Sequence, residues 1–301
     1  MLTSEILQKE LKAKSILKVG GAFDAMSAKL VENNGFDAIW AGSFAISATH
    51  ALPDASILTM TEFLHSASNM VESCQIPIIA DCDTGFGGPS NVGHMVRKYE
   101  KAGVAAISIE DKIFPKQNSL LEGGTQELLP EKDFVAKLIA AKDAKTSENF
   151  MIIARVEALI ADLGIEEAIK RADAYEIAGA DAILIHSKKN TPQEIFEFSE
   201  KWTGNVPLIS IPTSYPTVTL DELISHNFKI VIYANHALRS SYFAMSKLLE
   251  SISKANSLSE VDQEMSSMEE IFQLQQMYEI KKQEKEIEEN LKKLGDRKSV
   301  V

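Results

Sequence analysis

Eight short apolar segments recur along the 301-residue chain, separated by stretches with helical patterns. Their apolar character is nearly continuous rather than alternating, which indicates strands covered on both faces, as in parallel sheets. Eight strands alternating with helices favour a closed (β/α)8 barrel of the TIM type over an open doubly wound sheet, and the chain is long enough for one. We predict strands over residues 17–20, 38–41, 76–81, 105–110, 151–155, 182–186, 207–211 and 229–233.

Two of the intervening helices have recognisable starts. Thr191 with Glu194, and Thr219 with Glu222, have the spacing of a capping box, in which each side chain bonds the backbone N–H of the other. The sequence therefore predicts helices that begin at these two threonines.

The chain beyond residue 257 differs in character. Residues 261–294 are rich in Glu, Lys, Gln and Met and contain no glycine or proline, which predicts one or two amphipathic helices. We expect a barrel domain over residues 1–257 and a helical extension over residues 258–301, disordered from residue 295 onward. The extension could pack on its own barrel or dock on a neighbouring subunit. Its apolar stripe comprises Met265, Met268, Ile271, Phe272 and Leu274.

Charge and composition exclude several partners. The formal net charge of −12 argues against nucleic acid or an anionic membrane as a partner, so an anionic substrate needs a local cationic cluster. Cys74 and Cys82 are too few for a disulfide framework, which favours a reducing cytoplasm. No apolar run approaches the roughly 18 residues of a membrane span, and the first residues lack a signal-peptide pattern.

Acidic side chains stand at the ends of two neighbouring predicted strands. Asp81 and Asp83 follow one strand, where alternation would turn both to the same side, and Glu110 ends the next. Hard oxygen ligands of this kind suit Mg²⁺ or Mn²⁺ rather than Zn²⁺. Since Mg²⁺ keeps several waters, one carboxylate could bind directly and the others through water.

Basic side chains follow the next strands. Arg155 and His186 stand at strand ends and, with Lys116, can hold a phosphoryl or carboxylate group. The alternative is that Arg155 is only an ion-pair partner of Glu157. Residues 114–126 follow the Glu110 strand and contain a Gly-Gly pair, which indicates a mobile lid or else a plain surface loop.

Five motifs in combination resemble the phosphoenolpyruvate mutase branch of the isocitrate lyase superfamily. They are WAGS at 40–43, DCDTGFG at 81–87, EDKIFPKQNS at 110–119, ARVEA at 154–158 and HSKK at 186–189. The resemblance extends over roughly residues 20–275. It implies a β/α barrel whose last helix swaps onto a partner in a homodimer or homotetramer, with Mg²⁺ as cofactor and a three-carbon keto- or enol-acid as substrate.

The resemblance also implies a role for each matching position. Asp81 would bind the metal directly, while Asp54, Asp83 and Glu110 would act mainly through metal-bound water. The remaining roles are as follows: the backbone of Gly42, Ser43 and Phe44, beside Trp40, would bind the substrate carboxylate; Arg155 and His186 would contact the phosphoryl group; Lys116 and Asn118 would come down with the lid.

The lid sequence bears on the reaction. Superfamily lyases carry a Lys-Lys-Cys-Gly-His lid, and the absence of cysteine from residues 114–119 disfavours C–C bond cleavage. Phosphonopyruvate hydrolase has threonine at the position of Asn118, so asparagine favours interconversion of phosphoenolpyruvate and phosphonopyruvate. Mutases usually have a basic residue after the lid glycine, whereas Gly123-Gly124-Thr125 has none, which keeps phosphonopyruvate hydrolysis open. Oxaloacetate hydrolysis or decarboxylation is a third alternative, and the charged set disfavours a silent scaffold.

Overall fold

The computed structural model describes residues 2–124, 126–261 and 265–298, with side chains to residue 294. Within them, eight parallel strands pair in chain order, and the last pairs with the first to close a barrel. The strands are β1 (Leu17–Ala22), β2 (Ala38–Ala41), β3 (Ile78–Asp81), β4 (Ala106–Glu110), β5 (Met151–Val156), β6 (Ala182–Ile185), β7 (Leu208–Ser210) and β8 (Phe228–Tyr233).

Helices connect successive strands on the outside of this barrel, and others precede or follow it. They are α1 (Thr3–Ala13), α2 (Ala25–Asn33), α3 (Ser43–Thr49), α4 (Met60–Ser73), α5 (Pro89–Lys101), α6 (Glu131–Ala144), α7 (Gly164–Ala178), α8 (Gln193–Lys201), α9 (Leu220–Ser225), α10 (His236–Lys254), α11 (Met268–Leu274) and α12 (Met277–Lys298), with a 3-10 turn at Leu258–Glu260.

The predicted TIM-type barrel is confirmed, with strand bounds within two residues of those predicted. Successive residues of one strand enter different cores, which explains the continuous apolar runs. Ile79 packs in the cluster inside the barrel, whereas Ile78 packs in the larger cluster between the barrel and its helices. The strands thereby bury both faces, and their carboxyl ends converge on one rim.

One of the two predicted capping boxes is correct. Thr219 Oγ1 accepts from the Glu222 backbone N–H, and the Glu222 carboxylate accepts from the Thr219 N–H at 2.8 Å. The prediction at Thr191 is wrong, because α8 begins only at Gln193 and Pro192 makes no side-chain cap. Glu194 instead accepts a hydrogen bond from Ser187 Oγ in the loop after β6, so a contact outside the helix occupies the carboxylate.

The chain divides into two compact units, Met1–Tyr242 and Phe243–Val301. The division falls inside α10, ahead of residue 257, where the composition changes. In the second unit, Phe243, Leu249 and Met268 are more than three-fifths exposed. Disorder was expected from residue 295 onward, but helix α12 continues to Lys298. Residues 299–301 of that expectation lie outside the described ranges.

Two further expectations concern the cysteines and membranes. Cys74 and Cys82 are buried free thiols, in agreement with the absence of a disulfide framework. No helix in the described part of the chain combines the length and apolarity that crossing a bilayer requires.

Candidate active site

A cavity of about 520 Å³ opens at the carboxyl ends of the strands. All predicted site residues line it except Asp83 and Glu110, which are buried next to it with only 2% of their surfaces exposed. The predicted residues on its wall are Trp40, Gly42, Ser43, Phe44, Asp54, Asp81, Lys116, Asn118, Arg155 and His186. The barrel therefore gathers in one place residues that are far apart in the chain.

Asp81 is the carboxylate that ends β3 and reaches the cavity. Its Oδ2 accepts from Ser43 Oγ at 2.9 Å, and its Oδ1 accepts from the Asp83 backbone N–H at 3.3 Å. Ser43 is the first residue of α3, immediately after β2. Two neighbouring strand ends thus fix the orientation of the Asp81 carboxylate.

Asp83 lies beyond the strand, in a different backbone conformation from the one predicted. Strand β3 ends at Asp81, and Asp83 has φ +49°, a left-handed conformation that aspartate tolerates better than most residues. A turn rather than strand alternation therefore positions this side chain. Its carbonyl accepts from the Glu110 N–H at 2.8 Å, which joins the ends of β3 and β4.

The carboxylates on this side of the cavity are crowded. Burial raises the pKa of Asp83 to about 6, and Asp81, Asp54 and Glu110 add to the rise while Lys116 opposes it. Oδ2 of Asp83 and Oε1 of Glu110 are buried without a hydrogen bond to any described residue, while Oδ1 of Asp83 pairs with Lys116. This side therefore has more negative charge than its own donors satisfy.

Lys116 is the cation on the same side, and it comes from the predicted lid. Its Nζ lies 2.7 Å from Asp83 Oδ1, 3.0 Å from Asp54 Oδ1 and 3.2 Å from Ser43 Oγ. Burial lowers the pKa of Lys116, but the four surrounding carboxylates outweigh it and raise the pKa well above the usual value. The ammonium group is therefore charged.

Asn118 brings the predicted lid segment to the cavity. Its Nδ2 donates to Asp54 Oδ2 at 2.8 Å, so one carboxylate holds both Lys116 and Asn118. The lid residue Thr125 lies outside the described ranges. In this arrangement the Asn118 amide forms part of the cavity wall.

Arg155 and His186 lie on the other side, around the buried carboxylate of Glu157. Arg155 Nε donates to Glu157 Oε1, and His186 Nδ1 lies 2.9 Å from the same oxygen. Arg155 Nη2 is also 2.9 Å from His186 Nδ1 and donates to Ser119 Oγ at 3.1 Å. Lys112 Nζ lies 3.2 Å from Glu157 Oε2.

On this second side the pKa of the buried carboxylate is lowered, whereas on the first side the pKa of Asp83 is raised. Burial alone would raise the pKa of Glu157, but Arg155, His186 and Lys112 hold it well below its usual range. Burial lowers the pKa of His186, and Arg155 adds to the fall while Glu157 opposes it. With no anion bound, His186 is therefore neutral at pH 7, and Glu157 is ionised.

Sequence reasoning assigned no site role to Glu157, Ser119 or Lys112. Glu157 was interpreted only as an alternative partner for Arg155, and Ser119 and Lys112 only as part of a motif. Asn235 and Thr213, in the loops after β8 and β7, also line the cavity without having been predicted. The two-residue spacing of Arg155 and Glu157 was the one available signal.

The carboxylate side has the donor chemistry of a hydrated divalent metal site. Over the described ranges, no three Asp, Glu, His or Cys side chains converge closely enough to chelate one ion by themselves. Asp81 presents one carboxylate in the cavity, and the oxygens without hydrogen bonds on Asp83 and Glu110 could accept from metal-bound water. This donor set fits Mg²⁺, which keeps several of its waters in proteins.

Comparison with known proteins places the chain in a family. The family model described as phosphoenolpyruvate phosphomutase matches residues 7–253. Phosphonopyruvate hydrolase of Variovorax sp. (strain Pal2) is 44% identical over 91% of this chain and 95% of its own length.

Two solved structures resemble the whole barrel. A phosphoenolpyruvate phosphomutase from Streptomyces platensis subsp. rosaceus has a TM-score of 0.92 and 43% identity, over 94% of this chain and 98% of that one. A phosphonopyruvate hydrolase complexed with oxalate and Mg²⁺ has a TM-score of 0.88 and 42% identity, over 93% and 97%. The chain is therefore an enzyme of the phosphoenolpyruvate phosphomutase family.

Proposed function

We propose that this enzyme interconverts phosphoenolpyruvate and phosphonopyruvate by Mg²⁺-dependent intramolecular phosphoryl transfer, a reaction of phosphonate biosynthesis. In one direction, the phosphorus–oxygen bond of phosphoenolpyruvate breaks and a bond from phosphorus to C3 of the resulting enolate forms. The substrate is isomerised, so the atoms and electrons balance without a second substrate.

The position of Asn118 is the observation that carries the proposal. Its amide is held in the cavity by the 2.8 Å bond to Asp54. An amide there can donate to a transferring phosphoryl group and occupy the space through which water would attack it. Such an arrangement supports transfer between two positions of one substrate more than hydrolysis.

The carboxylate side is proposed to bind the pyruvoyl part of the substrate. The backbone of Gly42, Ser43 and Phe44, beside Trp40, would receive the substrate carboxylate. Asp81 would hold Mg²⁺ directly, with Asp83, Glu110 and Asp54 bonded to its waters. Bound Mg²⁺ supplies positive charge that stabilises the enolate, and Mn²⁺ is expected to substitute for it.

The cationic side is proposed to hold the phosphoryl group while it is detached. Arg155 and His186 would stabilise its negative charge from one direction and Asn118 from the lid, as loose phosphoryl-transfer transition states require. No covalent protein intermediate is needed. Asp54 is already engaged by Lys116 and Asn118, so it acts as an orienting group.

Hydrolysis of phosphonopyruvate to pyruvate and phosphate is the second candidate. It is favoured by the 44% identity to a phosphonopyruvate hydrolase, which is as close a relationship as that to the mutases. It would require the lid to admit a water molecule in line with the carbon–phosphorus bond.

Phosphorus NMR distinguishes the two reactions. The protein is incubated with phosphonopyruvate and Mg²⁺, with Asp81→Ala as the control for metal-dependent turnover. Phosphoenolpyruvate as the main product supports the proposal, whereas inorganic phosphate with pyruvate shows that the enzyme is a hydrolase. Turnover of oxaloacetate with no phosphorus reaction would contradict both.

We also propose that residues 258–301 exchange between subunits in a homodimer or homotetramer. The exposure of Met265 and Met268 within this segment supports the proposal, since covering them would bury apolar surface. Light scattering coupled to gel filtration of the full chain measures the assembly, and a monomer at micromolar concentration would contradict it.

A further inference from the structure

We infer that Glu157 is a positioning residue whose buried carboxylate orients Arg155 and His186 and fastens the lid to them through Ser119. The inference deepens the proposed function, on which it rests for the role of the two cations. Glu157 is completely buried and lines no part of the cavity, so it would act only through other residues.

The two oxygens of Glu157 serve different groups. Oε1 receives Arg155 Nε and faces His186 Nδ1 at 2.9 Å, both of which line the cavity. Oε2 receives Ser119 Oγ at 2.6 Å and faces Lys112 Nζ at 3.2 Å. The Glu157 carboxylate therefore joins Arg155 and His186, the two residues proposed to hold the phosphoryl group, to the lid.

The carboxylate is itself held in place from outside the cavity. The Glu157 backbone N–H donates to Asp111 Oδ1 at 2.9 Å. The other oxygen of Asp111 accepts from Tyr175 at 2.7 Å and from Arg171 at 3.0 Å. This rigid support allows Glu157 to set the orientation of its partners.

Ser119 makes every hydrogen bond of which a hydroxyl is capable. Its Oγ donates to Glu157 and accepts from Lys112 Nζ at 2.6 Å and from Arg155 Nη2 at 3.1 Å. Lys112 Nζ also donates to the lid carbonyl of Gln117 at 2.9 Å. Because these groups are buried, losing the hydroxyl would remove three hydrogen bonds that water cannot readily replace.

Glu157 also bears on where His186 carries its proton. Nδ1 lies 2.9 Å from Glu157 Oε1, which only accepts, and 2.9 Å from Arg155 Nη2, which only donates, so the negative charge of Glu157 shifts the balance toward a proton on Nδ1. The charged groups facing His186 are Glu157 and Arg155 from the end of β5 and Lys112 from the end of β4. Glu157 is the one anion among these three.

Three variants test the inference. Glu157→Gln removes the charge and keeps the shape, and Ser119→Ala removes the three hydrogen bonds of the lid hydroxyl while it keeps the Glu157 carboxylate. Glu100→Gln is the matched control, because that carboxylate accepts backbone N–H bonds from Thr146 and Ser147 at the opposite end of the barrel. The readouts are hydrogen exchange of lid amides 114–121 and the pKa of His186 by NMR, neither of which requires turnover.

We expect lid exchange to rise by at least about tenfold in Glu157→Gln and Ser119→Ala and to stay unchanged in Glu100→Gln. The pKa of His186 should fall in Glu157→Gln alone, because an anion that favours the imidazolium is lost. Where turnover is measurable, kcat of Glu157→Gln should fall by about 10–100-fold.

Wild-type lid exchange in Ser119→Ala, or an unchanged His186 pKa in Glu157→Gln, would overturn the inference. If Glu157→Gln does not fold, the lid exchange of Ser119→Ala decides alone. Failure to form phosphoenolpyruvate would instead refute the proposed function and leave these two readouts interpretable.

Discussion

Asp83 and Glu157 are both buried carboxylates at the same end of the barrel, yet their pKa values shift in opposite directions. Asp83 shares its surroundings with three other carboxylates and one lysine, so burial raises its pKa to about 6. Glu157 is surrounded by Arg155, His186 and Lys112, and its pKa is held well below the usual range. Burial disfavours the ionised form of both groups, and the charges of the neighbouring residues decide the direction of each pKa shift.

The comparison extends to the whole cavity. Four carboxylates face a single lysine on the Asp83 side, which leaves a surplus of negative charge suited to a cation. On the Glu157 side, Arg155, Lys112 and His186 surround the Glu157 carboxylate, and Arg155 Nε also lies 3.4 Å from Glu110 Oε2, so this side holds the cationic groups that an anion requires. A substrate with a metal-binding keto acid at one end and a phosphoryl group at the other matches this division.

Replacing Asp81 by alanine should have the largest effect. It removes the one predicted ligand whose carboxylate reaches the cavity, and the metal's charge stabilisation is worth several kcal/mol. We expect metal-dependent turnover to fall by about 10³-fold or more. Calorimetric Mg²⁺ titration should show lost affinity, with the exposed Asp221→Ala as control. A variant with full activity would contradict direct ligation.

Arg155→Lys tests the other side of the cavity. Lysine keeps the charge but cannot contact Glu157, Ser119 and His186 together, as the guanidinium does. We expect turnover to fall by about 10²–10³-fold while Mg²⁺ affinity changes little. If Mg²⁺ affinity falls by the same factor as turnover, the two sides of the cavity are not separate in function.

Asn118→Ala tests the lid between the two sides. Loss of one donor to the transferring group should reduce phosphoryl transfer by about 10²-fold, with Mg²⁺ affinity nearly intact. Inorganic phosphate should form a larger share of the products by phosphorus NMR, because water gains access. The exposed lid variant Glu122→Ala is the control, and equal losses of transfer and Mg²⁺ affinity would contradict the lid role.

The smallest predicted effect concerns stability and pH in the metal-free protein. The pKa of Asp83, about 6, exceeds the unfolded value of about 3.9, so the folded state binds the extra proton between these values. The stability from this group is present at low pH and lost as pH rises through about 6, by at most about 3 kcal/mol.

Thermal unfolding in EDTA at pH 5 and pH 7.5 measures the part of this loss that occurs above pH 5. The loss of stability should be smaller in Asp83→Asn, because the contribution of Asp83 is absent. Burial also raises the pKa of Asp111 to about 6, and this group contributes equally to both proteins. The contribution of Glu157 to stability has the opposite pH dependence, because it is lost as pH falls through the low folded pKa of this group. Identical pH dependence in Asp83→Asn and wild type would contradict the charge surplus on this side.

The fold and much of the site could be predicted from local sequence. Continuous apolar runs identify parallel strands because both strand faces are buried, as Ile78 and Ile79 show. Since parallel strands end on one rim, Asp81, Glu110, Arg155 and His186 were expected near one another, and the structure places them around one cavity.

The remainder depends on contacts between distant residues. The bonds of Glu157 to Ser119 and Lys112 join the ends of two strands with the lid, and no local pattern encodes them. The failed capping box at Thr191 has the same cause, because Ser187 occupies the carboxylate of Glu194. Asp83 was assigned to the correct region for the wrong reason, since a left-handed turn positions it.

The division of the cavity into a metal side and a phosphoryl side is tested most directly by locating the metal. Crystals grown with Mn²⁺ and diffracted at a wavelength with strong manganese anomalous scattering would reveal its position. The account predicts one anomalous peak bonded to the Asp81 carboxylate, with Asp83 and Glu110 reached through water. A peak bonded to Glu157, or none near Asp81, would contradict it.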